Sequence, residues 1–274
     1  MFLSFYAIIG GSGFYSIFEN PEQKEVKTPF GDVFLDIGRI RNVEVAFIAR
    51  HGKKHDIPPA KVNYKANLYA LKQIGVERVI ATNAVGAINP SLEPGTFVVP
   101  DDFIDFTKNR DSTFYDGKTE IVVNGRVLKG VVHVSMTPDP YCPEIRRSIL
   151  QALKEAGVKF RDGGVYVVTE GNRFETPAEI KAFSYLGGDV VGMTGVPEVV
   201  LARELAMCYA TLCLVTNYAA GVQGSKKLTH DEVAEIYERN LRYLRDIVAR
   251  TVELIPISRS CSCGKALEGA IASK

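Results

Sequence analysis

Arg50 and His51, in ARHGKKH at 49–55, close an apolar run and set a planar, permanently charged fork beside an imidazole. A guanidinium fork matches the oxygens of phosphate, and the histidine adds a further donor. Three stretches of similar character end apolar runs elsewhere. In GGSGF (10–14), small residues let backbone N–H groups approach an anion, and Ser12 adds a hydroxyl. No GK[ST] follows and the third glycine is missing, so this is neither a P-loop nor a dinucleotide fingerprint. TNAVGA (82–87) allows close backbone approach at Ala84, with Asn83 read as a turn former. GMTGVPE (192–198) brings the Thr194 hydroxyl near a helix start. Ser12, Arg50, His51, Ala84 and Thr194 together make a candidate anion site.

A second group of residues suits a flat heterocycle. EGNRFET (170–176) puts an aromatic face, Phe174, next to a carboxylate, Glu175, which can accept from ring N–H groups. Met193 is adaptable enough to lie against a sugar. TNYAAG (216–221) follows Leu212, Leu214 and Val215 and finishes an apolar run with an amide, Asn217, then small residues including Ala219. An asparagine carries both a donor and an acceptor. The ring site (Phe174, Glu175, Asn217) and the anion site thus describe a pocket for a heterocycle, a sugar and phosphate.

Positioning these residues is the work of alternating strands and helices. Apolar runs rich in β-branched residues at 6–10, 33–38, 43–49, 78–84, 164–171, 189–193 and 211–217 read as strands. Helical spacing covers 63–75, 143–157, 176–187 and 197–210, and a last helix starts at Thr229, with Glu232 completing a capping box. The alternation predicts an α/β fold, a three-layer sandwich with a mixed, largely parallel central sheet. Ligands of such sheets bind at the carboxyl ends of strands, and every stretch quoted above falls at such an end.

The chain of 274 residues is 46% hydrophobic and 24% charged. No linker, repeat or charge block interrupts it before about Pro256, which predicts one domain over 1–256 and a loosely packed, small-residue tail over 257–274. A net charge of +1, with basic residues dispersed, argues against a nucleic-acid surface. No apolar stretch reaches the roughly 20 residues of a membrane span, and the start lacks a basic region and a cleavage site. A cytoplasmic protein is expected. Cys142, Cys208 and Cys213 sit in the body and Cys261 and Cys263 form CSC in the tail, without paired CxxC motifs of zinc spacing.

RHG also occurs in histidine phosphatases, where it ends the first strand; here it ends the third. GGSGF, RHGKKHDIPPAKVNYKANLYALK, TNAVGA, FIDFTKNRDSTFYDG, EGNRFET and GMTGVPEVVLARE, in this order, instead resemble the trimer-building purine nucleoside phosphorylase and 5′-methylthioadenosine phosphorylase family over residues 7–255. The wording is most similar to archaeal members of the methylthioadenosine branch. The resemblance implies the nucleoside phosphorylase fold and attack of phosphate on C1′ of ribose, with inorganic phosphate as co-substrate and no metal or organic cofactor. It implies that Ser12, Arg50, His51, Ala84 and Thr194 hold phosphate and that Met193 and His230 meet the ribose. His133 would reach the ribose site of a neighbouring subunit, so the active form would be a homotrimer or a dimer of trimers. It further implies disulfides Cys142–Cys208 and Cys261–Cys263.

The base pocket departs from the methylthioadenosine branch, which ends this strand with TDYD. Here Asn217 and Ala219 replace the two aspartates. A carboxylate only accepts, which suits a 6-amino group; an amide can donate to a 6-oxo group and accept at N7. Glu175 suits the N1–H of hypoxanthine or guanine. Asn172 stands where proline is usual and Gly195 where threonine is common. The expected activity is phosphorolysis of inosine and guanosine to purine base and ribose 1-phosphate. The alternatives are 5′-methylthioadenosine or 5′-methylthioinosine phosphorolysis and, from another class, non-catalytic nucleoside binding.

Overall fold

Apolar strands set the layout. A computed structural model describes residues 6–11, 14, 17–224 and 228–272. In chain order these form β1 (Tyr6–Gly10), β2 (Glu22–Thr28), β3 (Gly31–Ile40), β4 (Val43–Ala49), α1 (Tyr64–Gln73), β5 (Arg78–Ala87), β6 (Phe97–Val99) and β7 (Asp102–Phe106). A hairpin of β8 (Ile121–Val123) and β9 (Arg126–Leu128) follows, then α2 (Pro143–Ala156), β10 (Phe160–Asp162), β11 (Val165–Thr169) and α3 (Pro177–Tyr185). The chain continues through β12 (Val190–Gly192), α4 (Glu198–Glu204), β13 (Cys208–Tyr218) and α5 (His230–Leu254).

The main sheet runs β10-β6-β13-β5-β1-β4-β3-β2, with β12, β11 and β7 branching from the far end of β5. Its centre is parallel: β1 pairs with β4 and β5, and β5 with β13. Ala7, Ile8 and Ile9 are wholly buried, as expected of a central strand covered on both faces. The helix ends obey local chemistry. Proline opens α2 and Gly157, in the left-handed region, closes it. Thr176 and Glu179 form a reciprocal capping box on α3, and the Thr229 hydroxyl accepts from the Glu232 N–H at the start of α5.

Three expectations need correction. The helix expected over 197–210 stops at Glu204; Ala206 takes a positive φ of 53° and the remaining apolar residues enter the core as the start of β13. The tail is not loose: Val132 pairs with Ile271, the His133 N–H donates to Ala270 O, and Cys263 is buried. The disulfides Cys142–Cys208 and Cys261–Cys263 are not formed, and none of the five cysteines is in a disulfide. The reason is geometric. The Sγ atoms of these four cysteines cluster within 4.8 Å of one another, and no two of them are joined at the about 2.05 Å of an S–S bond. Among the described residues no helix is long and apolar enough to cross a membrane.

One irregularity shapes the site directly. β13 follows β5 residue for residue until Val215 faces Val85, and then Asn217 faces Gly86, so Thr216 is an extra residue in a bulge. A bulge of one residue reverses the faces of all that follow. It sends Asn217 and Ala219 into the cavity at the end of the sheet, whereas Thr216 bonds back to Val85 O.

Candidate active site

At the carboxyl ends of β1, β4, β5, β12 and β13 the chain encloses a cavity of about 550 Å³. Arg50, His51, Ala84, Phe174, Glu175, Met193, Thr194, Asn217, Ala219 and His230 all line it. Ser12 lies outside the described residues; its neighbour Gly11 borders the cavity. His133 is exposed on the surface beside the tail and is not among the lining residues.

Arg50 is the most constrained side chain of the site, at 2% exposure. Its Nε and one terminal nitrogen donate to the Glu198 carboxylate at 2.5 and 3.0 Å, and the other terminal nitrogen donates to Thr82 O at 2.9 Å. Tyr209 Oη donates to Glu198 at 2.7 Å. Burial works against the guanidinium charge, but the Glu198 carboxylate more than offsets it, and the group stays protonated well above its ordinary range. Three of five N–H groups are committed, leaving two for an anion in the cavity. Glu198 closes the stretch GMTGVPE, where its residue type alone assigns it no role. Nothing local could reveal one, because its partner is 148 residues away.

His51 behaves differently from the expected donor. Burial first, then the Arg50 charge, hold its imidazole down to about 4, so it is neutral at pH 7. Its Nδ1 pairs with Ile57 O at 2.8 Å, and a carbonyl can only accept, so Nδ1 carries the hydrogen. Nε2 is therefore an acceptor, suited to the P–OH of a monoprotonated phosphate. The ring packs edge-on to His55 at 4.9 Å between centroids, and His55 also lines the cavity.

Ala84 is the one exposed residue in β5, whose other nine residues are buried, so a backbone edge faces the cavity there. Asn83 is not a turn residue; it lies inside β5, 3% exposed, and bridges two elements. It accepts from the Thr194 hydroxyl at 2.8 Å and donates to Thr211 Oγ1 at 2.5 Å. Turning this carboxamide over would keep both partners and release the Thr194 hydrogen toward an anion. Gly195 has φ of 97°, and a Cβ there would come within 3.0 Å of the Tyr166 ring. This chain therefore has no room for the threonine common at that position.

In the ring half, Glu175 Oε1 accepts from Thr169 Oγ1 at 2.7 Å. The Asn217 amide donates one hydrogen to Tyr218 O and its carbonyl accepts from the Thr216 hydroxyl, both at 2.9 Å. Each bond uses half of the group's capacity, which leaves one donor and one acceptor. Gly86 is required at close quarters, since a Cβ would stand 3.1 Å from the Asn217 amide nitrogen. Arg110 fixes the loops around this half. Its side chain is 1% exposed and donates to Val196, Met193 and Glu170 carbonyls at 2.7 to 2.8 Å. His230, Val233 and Tyr237 of α5 border the cavity with Leu228.

The model of the family described as the phosphorylase superfamily matches residues 5–253. A protein of Korarchaeum cryptofilum, "Probable 6-oxopurine nucleoside phosphorylase", is 62% identical over 95% of this chain and 96% of its own. One of Methanopyrus kandleri, "Probable S-methyl-5'-thioinosine phosphorylase", is 51% identical over 96% of this chain and 97% of its own. The crystal structure of a methylthioadenosine phosphorylase sourced from an antarctic soil metagenomic library superposes with a TM-score of 0.87 at 34% identity. That match covers 97% of this chain and 92% of the other.

Proposed function

Because this chain belongs to the phosphorylase superfamily, we propose that it cleaves 6-oxopurine nucleosides, inosine and guanosine, with inorganic phosphate to give purine base and ribose 1-phosphate. One observation carries the choice of base: Asn217, with a spare donor and a spare acceptor, shares the cavity of Arg50 with Glu175 and Ala219. The relative named as a 6-oxopurine nucleoside phosphorylase supports the same reading.

Phosphate rests on the free N–H groups of Arg50, on His51, on the backbone at Ala84 and on Thr194, and the Ser12 hydroxyl is assigned to it as a further donor. Its oxygen attacks C1′ as the C1′–N9 bond breaks. The anion stabilises the developing oxocarbenium ion, and the buried guanidinium holds it in place without reorganisation. The bond's electrons pass into the purine. The leaving purine takes a proton on N7 from water, matched by the proton that monoprotonated phosphate gives up as ribose 1-phosphate forms. The Asn217 NH₂ donates to O6, its carbonyl accepts from the new N7–H, and the second Glu175 oxygen accepts from N1–H. Phe174 stacks on the base, and Met193 and His230 meet the ribose. Every step uses this chain's residues, water and inorganic phosphate, with no organic cofactor or metal in the reaction. His133 completes a neighbouring subunit's ribose site in a homotrimer or a dimer of trimers. The absence of disulfides among the five cysteines suits work in a reducing cytoplasm.

The 5′ side supports a second substrate. Leu228, Val233 and Tyr237 accompany His230 there, and apolar walls favour a methylthio group over a hydroxyl. 5′-Methylthioinosine shares the 6-oxo base, as in the name of the Methanopyrus relative. Release of hypoxanthine from inosine, followed with and without phosphate, tests the proposal. Turnover that requires phosphate is expected. Saturable inosine binding with no turnover would make the protein a nucleoside binder instead.

A further inference from the structure

Four thiols that take no part in the cavity converge elsewhere. The Sγ atoms of Cys142, Cys208, Cys261 and Cys263 all lie within 4.8 Å of one another. Cys142, Cys208 and Cys263 are buried and Cys261 half-buried. Both core thiols stand on fixed backbone. Cys142 directly precedes α2 and its N–H donates to Tyr209 O at 2.8 Å, while the Cys208 N–H, at the start of β13, donates to Glu77 O at 2.8 Å. The tail brings the other two as a C-x-C pair. Ser260 bonds Glu144 through both its N–H and its hydroxyl, and Arg259 donates to Ala206 O at 3.1 Å.

The spacing fits a shared centre. Zinc bound by four thiolates at about 2.3 Å keeps its sulfurs about 3.8 Å apart. Cys261 Sγ stands 3.8 Å from Cys142 Sγ and 3.4 Å from Cys208 Sγ. We infer that Cys142, Cys208, Cys261 and Cys263 form a structural tetrathiolate site for zinc(II) that fastens the C-terminal tail to the core. Binding releases the thiol protons and involves no redox step. Four thiolates on a divalent ion leave two negative charges; Arg259, which is held near the cluster by Ala206 O and pairs with Glu77 at 3.9 Å, brings a positive charge to that side. The sequence hides the site because its ligands come from a helix start, a strand start and the tail, rather than from two CxxC knuckles. The tail so fastened also pairs with Val131–His133, so the metal would steady the segment that carries His133.

The test is metal analysis of the full-length chain purified with zinc(II) and a phosphine reductant. About one zinc per chain is expected. Replacement by cobalt(II) should give thiolate-to-metal charge-transfer bands with the visible bands of a tetrahedral site. The Cys261→Ser/Cys263→Ser variant should lose the metal and those bands and unfold at a lower temperature. A zinc-free chain with four free thiols would overturn the inference. So would a chain lighter by four hydrogens, which would hold two disulfides, or a double variant that keeps its zinc. None of these outcomes depends on activity, so the inference can fail while the proposed reaction stands.

Discussion

At the scale of single residues, the proposed reaction rests its specificity on Asn217 and its phosphate binding on the geometry of Arg50. Exchanging the amide for a carboxylate leaves size unchanged and removes the donor. Asn217→Asp should lower kcat/KM for inosine by about 10²-fold or more, since a site that mispairs a buried polar group discriminates strongly, and should raise relative turnover of adenosine. Comparison of the two substrates checks this; an unchanged ratio would contradict it. Glu198 does not itself line the cavity, yet it holds the lining residue Arg50 at two nitrogens. Glu198→Ala should destabilise the fold by about 3 kcal/mol, as expected when one partner of a buried pair is removed. It should also cut kcat/KM for phosphate by about 10²-fold through misplacement. Denaturant unfolding and phosphate titration at saturating inosine measure the two effects, and a rise in phosphate affinity would count against the positioning role.

At the scale of elements, loop and strand ends must meet within tight limits. Gly195 has a left-handed φ and faces the Tyr166 ring. Gly195→Ala should therefore cost about 1–3 kcal/mol in stability and displace Thr194, raising the KM for phosphate more than that for inosine. Calorimetry with steady-state kinetics would show it. The same scale explains what was readable in the sequence. β1 and β4 were legible as continuous apolar runs, and α2 carries both of its end signals. The 197–210 region was misread because helical spacing flows into AMCYA without a glycine, and only the positive φ of Ala206 marks the break. The bulge at Thr216 leaves no trace in TLCLVTNY, although it aims Asn217. Ten cavity-lining residues were readable because each follows an apolar run or opens a helix. Glu198, Arg110 and Asn83 were not, because their roles come from partners far along the chain.

At the scale of the whole molecule, the role proposed for His133, which is exposed, requires a second subunit. Arg50→Ala and His133→Ala chains should each be weakly active. When the two are unfolded and refolded together, mixed assemblies regain a substantial fraction of activity, because an intact cavity then meets an intact His133. Sedimentation should show a trimer or its doubled form, and activity no higher than the sum of the separate variants would contradict a shared site. The central claim is the choice of base, and one comparison tests it most directly. Phosphorolysis of inosine, guanosine, adenosine, 5′-methylthioadenosine and 5′-methylthioinosine is measured under identical phosphate. The account predicts kcat/KM for the 6-oxopurine nucleosides at least about 10⁴-fold above their 6-amino counterparts. A preference for 5′-methylthioadenosine or adenosine would contradict it.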